Sequence, residues 1–309
     1  MSEVSSDLVQ QLLKERKADR RWKNIRFIVW IIIISLFVWL TFFNHSTSTL
    51  SGRYVSLLRL DGMIAPQSEI SSEVIVPLLQ DAFKDKGSQG IILDINSPGG
   101  TPVQAAIIHN AIVKLKKKYH KKVVVVGEDL LTSGAYYIAV AADAIYVNPN
   151  TLTGSIGVIM KGFGFSGLIK KLGIERRVYT SGTDKDRLDP FLPQSPKDIE
   201  KIRQVMNEVH DNFNQAVLEG RKGKLHADPA TLFTGDFWSG QTAVKLGLVD
   251  GLGNLIDVAE KEFRTSHFRE YSASPGLLKI LSGQVSNAWG AFLESISETF
   301  HPFSAEPLT

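Results

Sequence analysis

From Phe27 to Phe43 the sequence FIVWIIIISLFVWLTFF carries no charge on any face, and beyond residue 53 the pattern changes to short apolar runs separated by amphipathic stretches. The first stretch, about 17 residues long, lies at the short end of what crosses a bilayer core. A buried core helix would seldom stay apolar on every face for so long. A cleavable signal peptide has a shorter apolar region and small residues at the cut, whereas Asn44 to Leu50 (NHSTSTL) offers no Ala-x-Ala pattern. The pattern therefore predicts an uncleaved anchor over 27–43, with Arg26 reaching back to the interface. Seven basic residues (Lys14, Arg16, Lys17, Arg20, Arg21, Lys23, Arg26) against four acids (Glu3, Asp7, Glu15, Asp19) precede it. The positive-inside rule then keeps residues 1–26 in the cytoplasm and places everything beyond a Ser/Thr linker at 44–53 outside.

Past the linker, Val55–Leu60, Gly90–Ile95, Val123–Val126 and Ala144–Val147 read as buried strands, with Ser72–Phe83 and Val103–Tyr119 as the helices between them. Strands alternating with crossover helices define an α/β architecture. Ile199, Ile202, Val205, Val209, Phe213 and Val217 recur every three or four residues and predict a long helix with one apolar stripe. Gly240–Leu246 and Leu255–Phe263 add two more helices. The domain is expected over 54–265, followed by a peripheral or assembly tail at 266–309 with one amphipathic stretch around Leu277–Ile296.

Composition changes this picture little. The chain has 309 residues, 43% hydrophobic and 22% charged, with a formal net charge of +3 that the N-terminal cluster accounts for. A balanced remainder argues against nucleic acid as a partner. The absence of cysteine excludes a disulfide framework, a thiolate metal site and a cysteine nucleophile. Neither a metal nor a cofactor is called for.

The candidate chemistry lies in two turns. Ser133-Gly134-Ala135-Tyr136-Tyr137-Ile138-Ala139 follows one apolar strand, and Asn96-Ser97-Pro98-Gly99-Gly100 follows the strand before it. Each alone is ambiguous: Ser-Pro-Gly-Gly is also a tight turn before a helix, and a serine opening a helix is also an N-cap. Together, at the C-terminal ends of consecutive strands where α/β folds place ligands, they read as a serine nucleophile and a backbone cradle for an oxyanion. A serine needs a base. The seven histidines lie in helices, loops or tails and read as surface residues, which leaves lysine. A lysine serves only when burial beside the serine brings its pKa down from about 10.4 toward neutrality.

These two turns, with Thr153-Gly154-Ser155-Ile156-Gly157-Val158, Ser181-Gly182-Thr183-Asp184-Lys185, Asp189-Pro190-Phe191 and the stretch Gly235 to Asp250, closely resemble the bacterial signal peptide peptidase A family over roughly residues 50 to 265. The resemblance implies a ClpP/crotonase-like fold and a Ser/Lys peptidase that degrades signal peptides left in the membrane. It assigns Ser133 as nucleophile, Lys185 as general base, backbone amides at Gly99 or Gly100 and at Gly134 as the oxyanion hole, and Ser155 as a hydroxyl near the lysine, a residue that reads equally as a helix or turn cap. In single-domain members of that family the serine and the lysine come from adjacent subunits, which implies a homo-oligomer with shared sites. It also implies a single-pass protein of the bacterial inner membrane. One departure stands out: acids, Asp184 and Asp186, flank the lysine and would raise its pKa, unless the segment is an extended strand with its neighbours turned to the opposite face. Two other readings follow from the same residues: a non-catalytic membrane scaffold of this fold, and another enzyme of the ClpP/crotonase superfamily.

Overall fold

A computed structural model of the chain describes residues 22–36 and 53–272. Helix α1 covers residues 22–36 with every described side chain exposed. Among the described residues no helix is long and apolar enough to cross a membrane. Positions 37–43 of the expected anchor lie outside them, as does the stretch Leu277–Ile296.

The unit that begins at Arg53 is built on a mostly parallel sheet. Its elements are β1 (Tyr54–Asp61), α2 (Ser72–Lys84), β2 (Ser88–Ser97), α3 (Pro102–Tyr119), β3 (Val123–Thr132), α4 (Gly134–Ala139), β4 (Ala144–Val147), β5 (Leu152–Gly154), α5 (Ser166–Lys171), α6 (Pro196–Gly220), α7 (Pro229–Leu232), β6 (Phe237–Ser239), α8 (Gly240–Leu246), β7 (Gly251–Leu252), α9 (Leu255–Phe263) and β8 (Phe268–Glu270). The strand order is β6-β5-β3-β2-β1-β8, with β4 pairing β3 and β7 as a branch. All pairs are parallel except β5 with β6.

The central strands are apolar on both faces because both faces are covered. Leu58, Leu60, Leu93, Ile95, Val123 and Val125 pack with α2, α3, α4 and α6. Their alternate neighbours Val55, Leu57, Ile92, Val124 and Val126 pack with Val258, Ala259 and Phe263 of α9. This period of two lets one strand serve two cores.

Strand β3 runs six residues beyond its expected end, and the extension positions the site. Val124–Gly127 pairs with β4, whereas Leu130–Thr132 pairs with β5, so β3 serves two partners in succession. Thr151 Oγ1 donates to the carbonyl of Glu128 at 2.5 Å at the change of partner, and Asn96 Oδ1 accepts from Leu130 N at 3.2 Å.

The stretch Gly235–Asp250 is structural. Arg221, almost fully buried, donates through Nε and Nη2 to the carbonyl of Gly247 and through Nη1 to Asp250. Burial pushes the Asp250 carboxyl up, but the bonds from Arg221 and Lys224 outweigh it and hold the group below its ordinary range. Asp250 also accepts from Ile145 N, which fixes the end of α8 on β4.

The domain does not end at 265. Val55–Leu57 pairs with β8 at 268–270, and Tyr271 donates its amide to Leu57 O and its hydroxyl to Asp85. The first residues of the expected tail therefore close the sheet edge; the parallel register on β1 overrides a local sequence that carries opposite charges at Arg269 and Glu270 and little apolar patterning. Residues 273–309 lie outside the described residues.

Candidate active site

Ser133 occupies the turn between β3 and α4 with φ +53° and ψ −124°. This is the conformation of the first central residue of a type II′ turn, where glycine is the usual occupant. The backbone is held there from both sides: Ser133 N donates to Gly154 O at 2.8 Å, and Ser133 O accepts from Tyr137 N at 2.9 Å. The side chain makes no capping hydrogen bond to α4, so the N-cap reading of this serine fails. A half-buried hydroxyl on a strained turn, without a structural task, is what an exposed nucleophile requires.

The glycine turn lies against it. Gly99 has φ +95° and Gly100 φ +157°. A Cβ at position 99 would stand 2.7 Å from both Gly134 N and Ser133 Cβ, and one at position 134 would stand 3.3 Å from Gly100 N. The turn is anchored by Ile64, whose amide donates to Gly99 O (2.9 Å) and whose carbonyl accepts from Thr101 N (2.8 Å). Gly99 N is engaged by Ser97 Oγ at 3.2 Å. Gly100 N and Gly134 N have no hydrogen-bond partner among the described residues. The two free donors thus face the same small space, with Gly99 acting in the turn itself.

Ser133, Gly100 and Gly134 open into a cleft of about 100 Å³ whose remaining wall is apolar: Ala105, Tyr137, Val158, Ile159 and Phe213. Tyr137 packs on Phe213 in a tilted arrangement at 4.9 Å and meets His109 edge to face at 5.2 Å. Sequence reasoning missed this wall, because its members come from four separate segments. It also placed His109 on the surface. His109 is buried, and burial holds its imidazole below the ordinary range; its position on the inner face of α3 beside Ala105, Ile108 and Ile112 was the signal available. No histidine lines the cleft among the described residues.

Ser155 follows Gly154, the acceptor of the Ser133 amide, and so sits beside the elbow. It has φ +52° and donates its amide to Asp236 O at 2.7 Å. It opens no helix, and its hydroxyl makes no hydrogen bond among the described residues.

Lys185 is placed differently. It is exposed, lies in a run of turns rather than a strand, and is absent from the Ser133 cleft. The extended-strand argument for separating it from its flanking acids therefore fails. The acids are handled otherwise: Asp184 is paired with Arg187 at 3.0 Å and Lys197 at 3.1 Å, and Asp186 lines a larger cleft of about 820 Å³ formed with α6, which does not include Ser133. Within one chain Ser133, Gly100 and Gly134 line one cleft, and neither Ser155 nor Lys185 is among its lining residues.

A covered parallel sheet that presents a strained serine and two free amides to one apolar cleft has the build of a serine-type peptidase domain. Residues 115–266 match the model of peptidase family S49. The chain's relatives include a Brucella melitensis protein named Na(+)/H(+) antiporter NhaA, 46% identical over 186 residues, which are 60% of this chain and 25% of that protein. A protein named as a protease in Methanocaldococcus jannaschii is 35% identical over 198 residues, covering 64% of this chain and 63% of its own. One named as signal peptide peptidase SppA in Enterococcus faecium is 31% identical over 223 residues, covering 69% and 64%. The chain thus spans a quarter of the first relative and less than two thirds of the other two.

Proposed function

We propose that the chain is a membrane-anchored serine endopeptidase that cleaves extended apolar peptides, spent signal peptides among them, with Ser133 as nucleophile and Lys185 as general base. The conformation of Ser133 carries the reading. In the mechanism, the neutral amine of Lys185 takes the hydroxyl proton as Oγ attacks the peptide carbonyl. Gly100 N–H and Gly134 N–H receive the oxyanion, each such donor being worth about 10²–10³ in rate. The proton passes to the leaving amine, and water then hydrolyses the acyl-enzyme. The apolar wall formed by Tyr137, Phe213 and Ile159 suits an uncharged side chain on the substrate. The change of partner along β3 supports a ClpP/crotonase-like fold.

The lysine is supplied by a second copy of the chain. Two observations support this: Lys185 lies outside its own Ser133 cleft, and the segment around it leaves Phe163 (81% exposed), Tyr179 (92%) and Leu172 (62%) in solvent, large apolar side chains that a contact with a second copy would cover. In the proposed topology residues 1–26 are cytoplasmic, 27–43 cross the bacterial inner membrane, and the peptidase domain faces outward, where it meets peptides leaving the bilayer. The exposed, acid-flanked lysine favours one other reading, a non-catalytic membrane scaffold.

A fluorophosphonate label on the detergent-extracted full chain separates the two. The peptidase reading expects labelling of the wild type and its loss in both Ser133→Ala and Lys185→Ala. Co-assembling the two variants in equal amounts is expected to restore about a quarter of the sites, those in which an intact serine faces an intact lysine across a subunit contact. An unlabelled wild-type oligomer would favour the scaffold, and labelling lost in the variants but never restored on mixing would place both groups in one chain.

A further inference from the structure

On the sheet face away from α3 and α4, Asp94 stands in the middle of an apolar strand. It is in register with Arg59 of β1 and Val126 of β3, so these side chains share a face. Its side chain is 2% exposed. One carboxyl oxygen, Oδ2, accepts from Arg59 Nη1 at 2.5 Å; the other, Oδ1, is buried with no donor. The Glu128 side chain lies within hydrogen-bonding reach of the Asp94 carboxyl. Two carboxylates have no donor between them, whereas one proton makes them a bonded pair.

The charges around the buried oxygen are mostly negative. Arg59 is divided among three acids, Asp94, Glu128 at 4.0 Å and Glu270 of β8 at 3.5 Å. Asp61 of β1 adds a further negative charge near Asp94, and Asp129 lines the same cleft. The α9 side contributes Asn254, Leu255 and Ile256, which carry no charge. One guanidinium therefore faces an excess of carboxylates.

The location of the pair gives it a consequence. Asp94 precedes Gly99 by five positions on β2, and Glu128 precedes Ser133 by five on β3, just where the β2–β3 register shifts between Ile95 and Ser97. We propose that Asp94 and Glu128 hold one proton between them, and that this bond ties β2 to β3 behind the glycine turn and Ser133, making the two acids positioning residues for the free amides. Burial, followed by the Glu128 charge, raises the Asp94 carboxyl from 3.8 to about 7, with Arg59 opposing. The closed form thus keeps a proton that an opened form releases, and closure weakens as pH rises from about 4 to about 7 and is level above that. The kinetic arm of the test alone rests on the peptidase reading.

Hydrogen–deuterium exchange of the full-length oligomer, corrected for intrinsic exchange, reads the tie directly in the peptides covering 96–101 and 131–137. In the wild type the opening constant of both is expected to rise about tenfold per pH unit between the two carboxyl values and then flatten. Asp94→Asn, whose amide donates to Glu128 at any pH, is expected to show no such rise, while Asp94→Ala is expected to stay open throughout. A wild type with pH-independent protection in these peptides, or Asp94→Asn as open as Asp94→Ala, overturns the proposal. Labelling rates give the second arm: the ratio of Asp94→Asn to wild type is expected to grow several-fold as pH passes through neutrality, and a constant ratio overturns the link to the site. If the wild type takes no label at all, the peptidase reading fails while the exchange result still decides the proton.

Discussion

Ser133→Gly is expected to abolish labelling and peptide cleavage while making the chain more stable, by about 1 kcal/mol. The activity loss follows from removing the nucleophile, which in serine peptidases costs on the order of 10⁵–10⁶ in turnover. The gain in stability follows from the backbone. At φ +53° and ψ −124° a residue with a Cβ sits in a region that costs about 1–3 kcal/mol and that glycine occupies freely. Part of that gain is offset by the greater freedom of glycine in the unfolded chain, about 0.4–1 kcal/mol. Ser133→Ala keeps the Cβ, so it is expected to lose activity equally and gain nothing in stability. Urea unfolding of the three chains at equal protein concentration checks this, with unchanged m-values as the control that only stability has moved. A glycine variant less stable than the alanine variant would show that the elbow is not strained, and would remove the observation on which the functional reading rests.

Much of this was legible in sequence, and the parts that were not share a physical cause. The strands at 54–61, 88–97 and 144–147 and the helices at 72–84, 102–119, 240–246 and 255–263 announce themselves because long apolar runs or stripes are decided locally, by how much surface each can bury. β5, β6, β7 and β8 have two or three residues each and exist only because β3, β4, β5 or β1 offers an edge. Their sequences, such as Phe237-Trp238-Ser239, carry no period that could be read in isolation. The same holds for the end of β3: after Gly127 the residues Glu128 and Asp129 look like a loop, and only pairing with Leu152–Gly154 keeps the strand going to the elbow. Asp94 was passed over because one acid inside GIILDIN does not disturb an apolar average, although its placement decides which charges face the sheet.

The site divides along the same line. The glycine turn and the serine were visible because their chemistry is written in consecutive residues. Which glycine has a free amide was not, since that depends on Ser97 turning its hydroxyl back to Gly99. The apolar wall depends on segments far apart in the chain, and under the proposed function Lys185 depends in addition on a second copy. Sequence states what a residue can do; the meeting of residues is a property of the fold.

That meeting is most exposed to test at Gly100. A Cβ there would stand 1.9 Å from the carbonyl oxygen of Ile64, with the carbonyl carbon at 2.7 Å and the amide nitrogen at 2.9 Å. All three are backbone atoms, so no side chain can rotate away, and Ile64 is itself fixed by bonds to Gly99 and Thr101. Gly100→Ala must therefore either separate the 62–71 loop from the turn or force φ away from +157°, and either movement carries the Gly100 amide off its line with Gly134 N. A loss of about 3 kcal/mol or more is expected, at the upper end of overpacking costs. Cleavage and labelling are expected to fall by at least the 10²–10³ of one missing oxyanion donor. Gly167→Ala, in α5, is the matched control: nothing lies within 4 Å of its added carbon, and it is expected to leave labelling unchanged and to raise stability by about 0.4–1 kcal/mol through the less free unfolded chain. Gly99→Ala separates the two effects, because its Cβ would press on Ser133 Cβ and Gly134 N rather than on Ile64. It is expected to lose labelling as severely as Gly100→Ala. Exchange protection in the 62–71 loop is expected to survive in Gly99→Ala and to be lost in Gly100→Ala. Equal protection in both variants would show that the loop does not hold the turn.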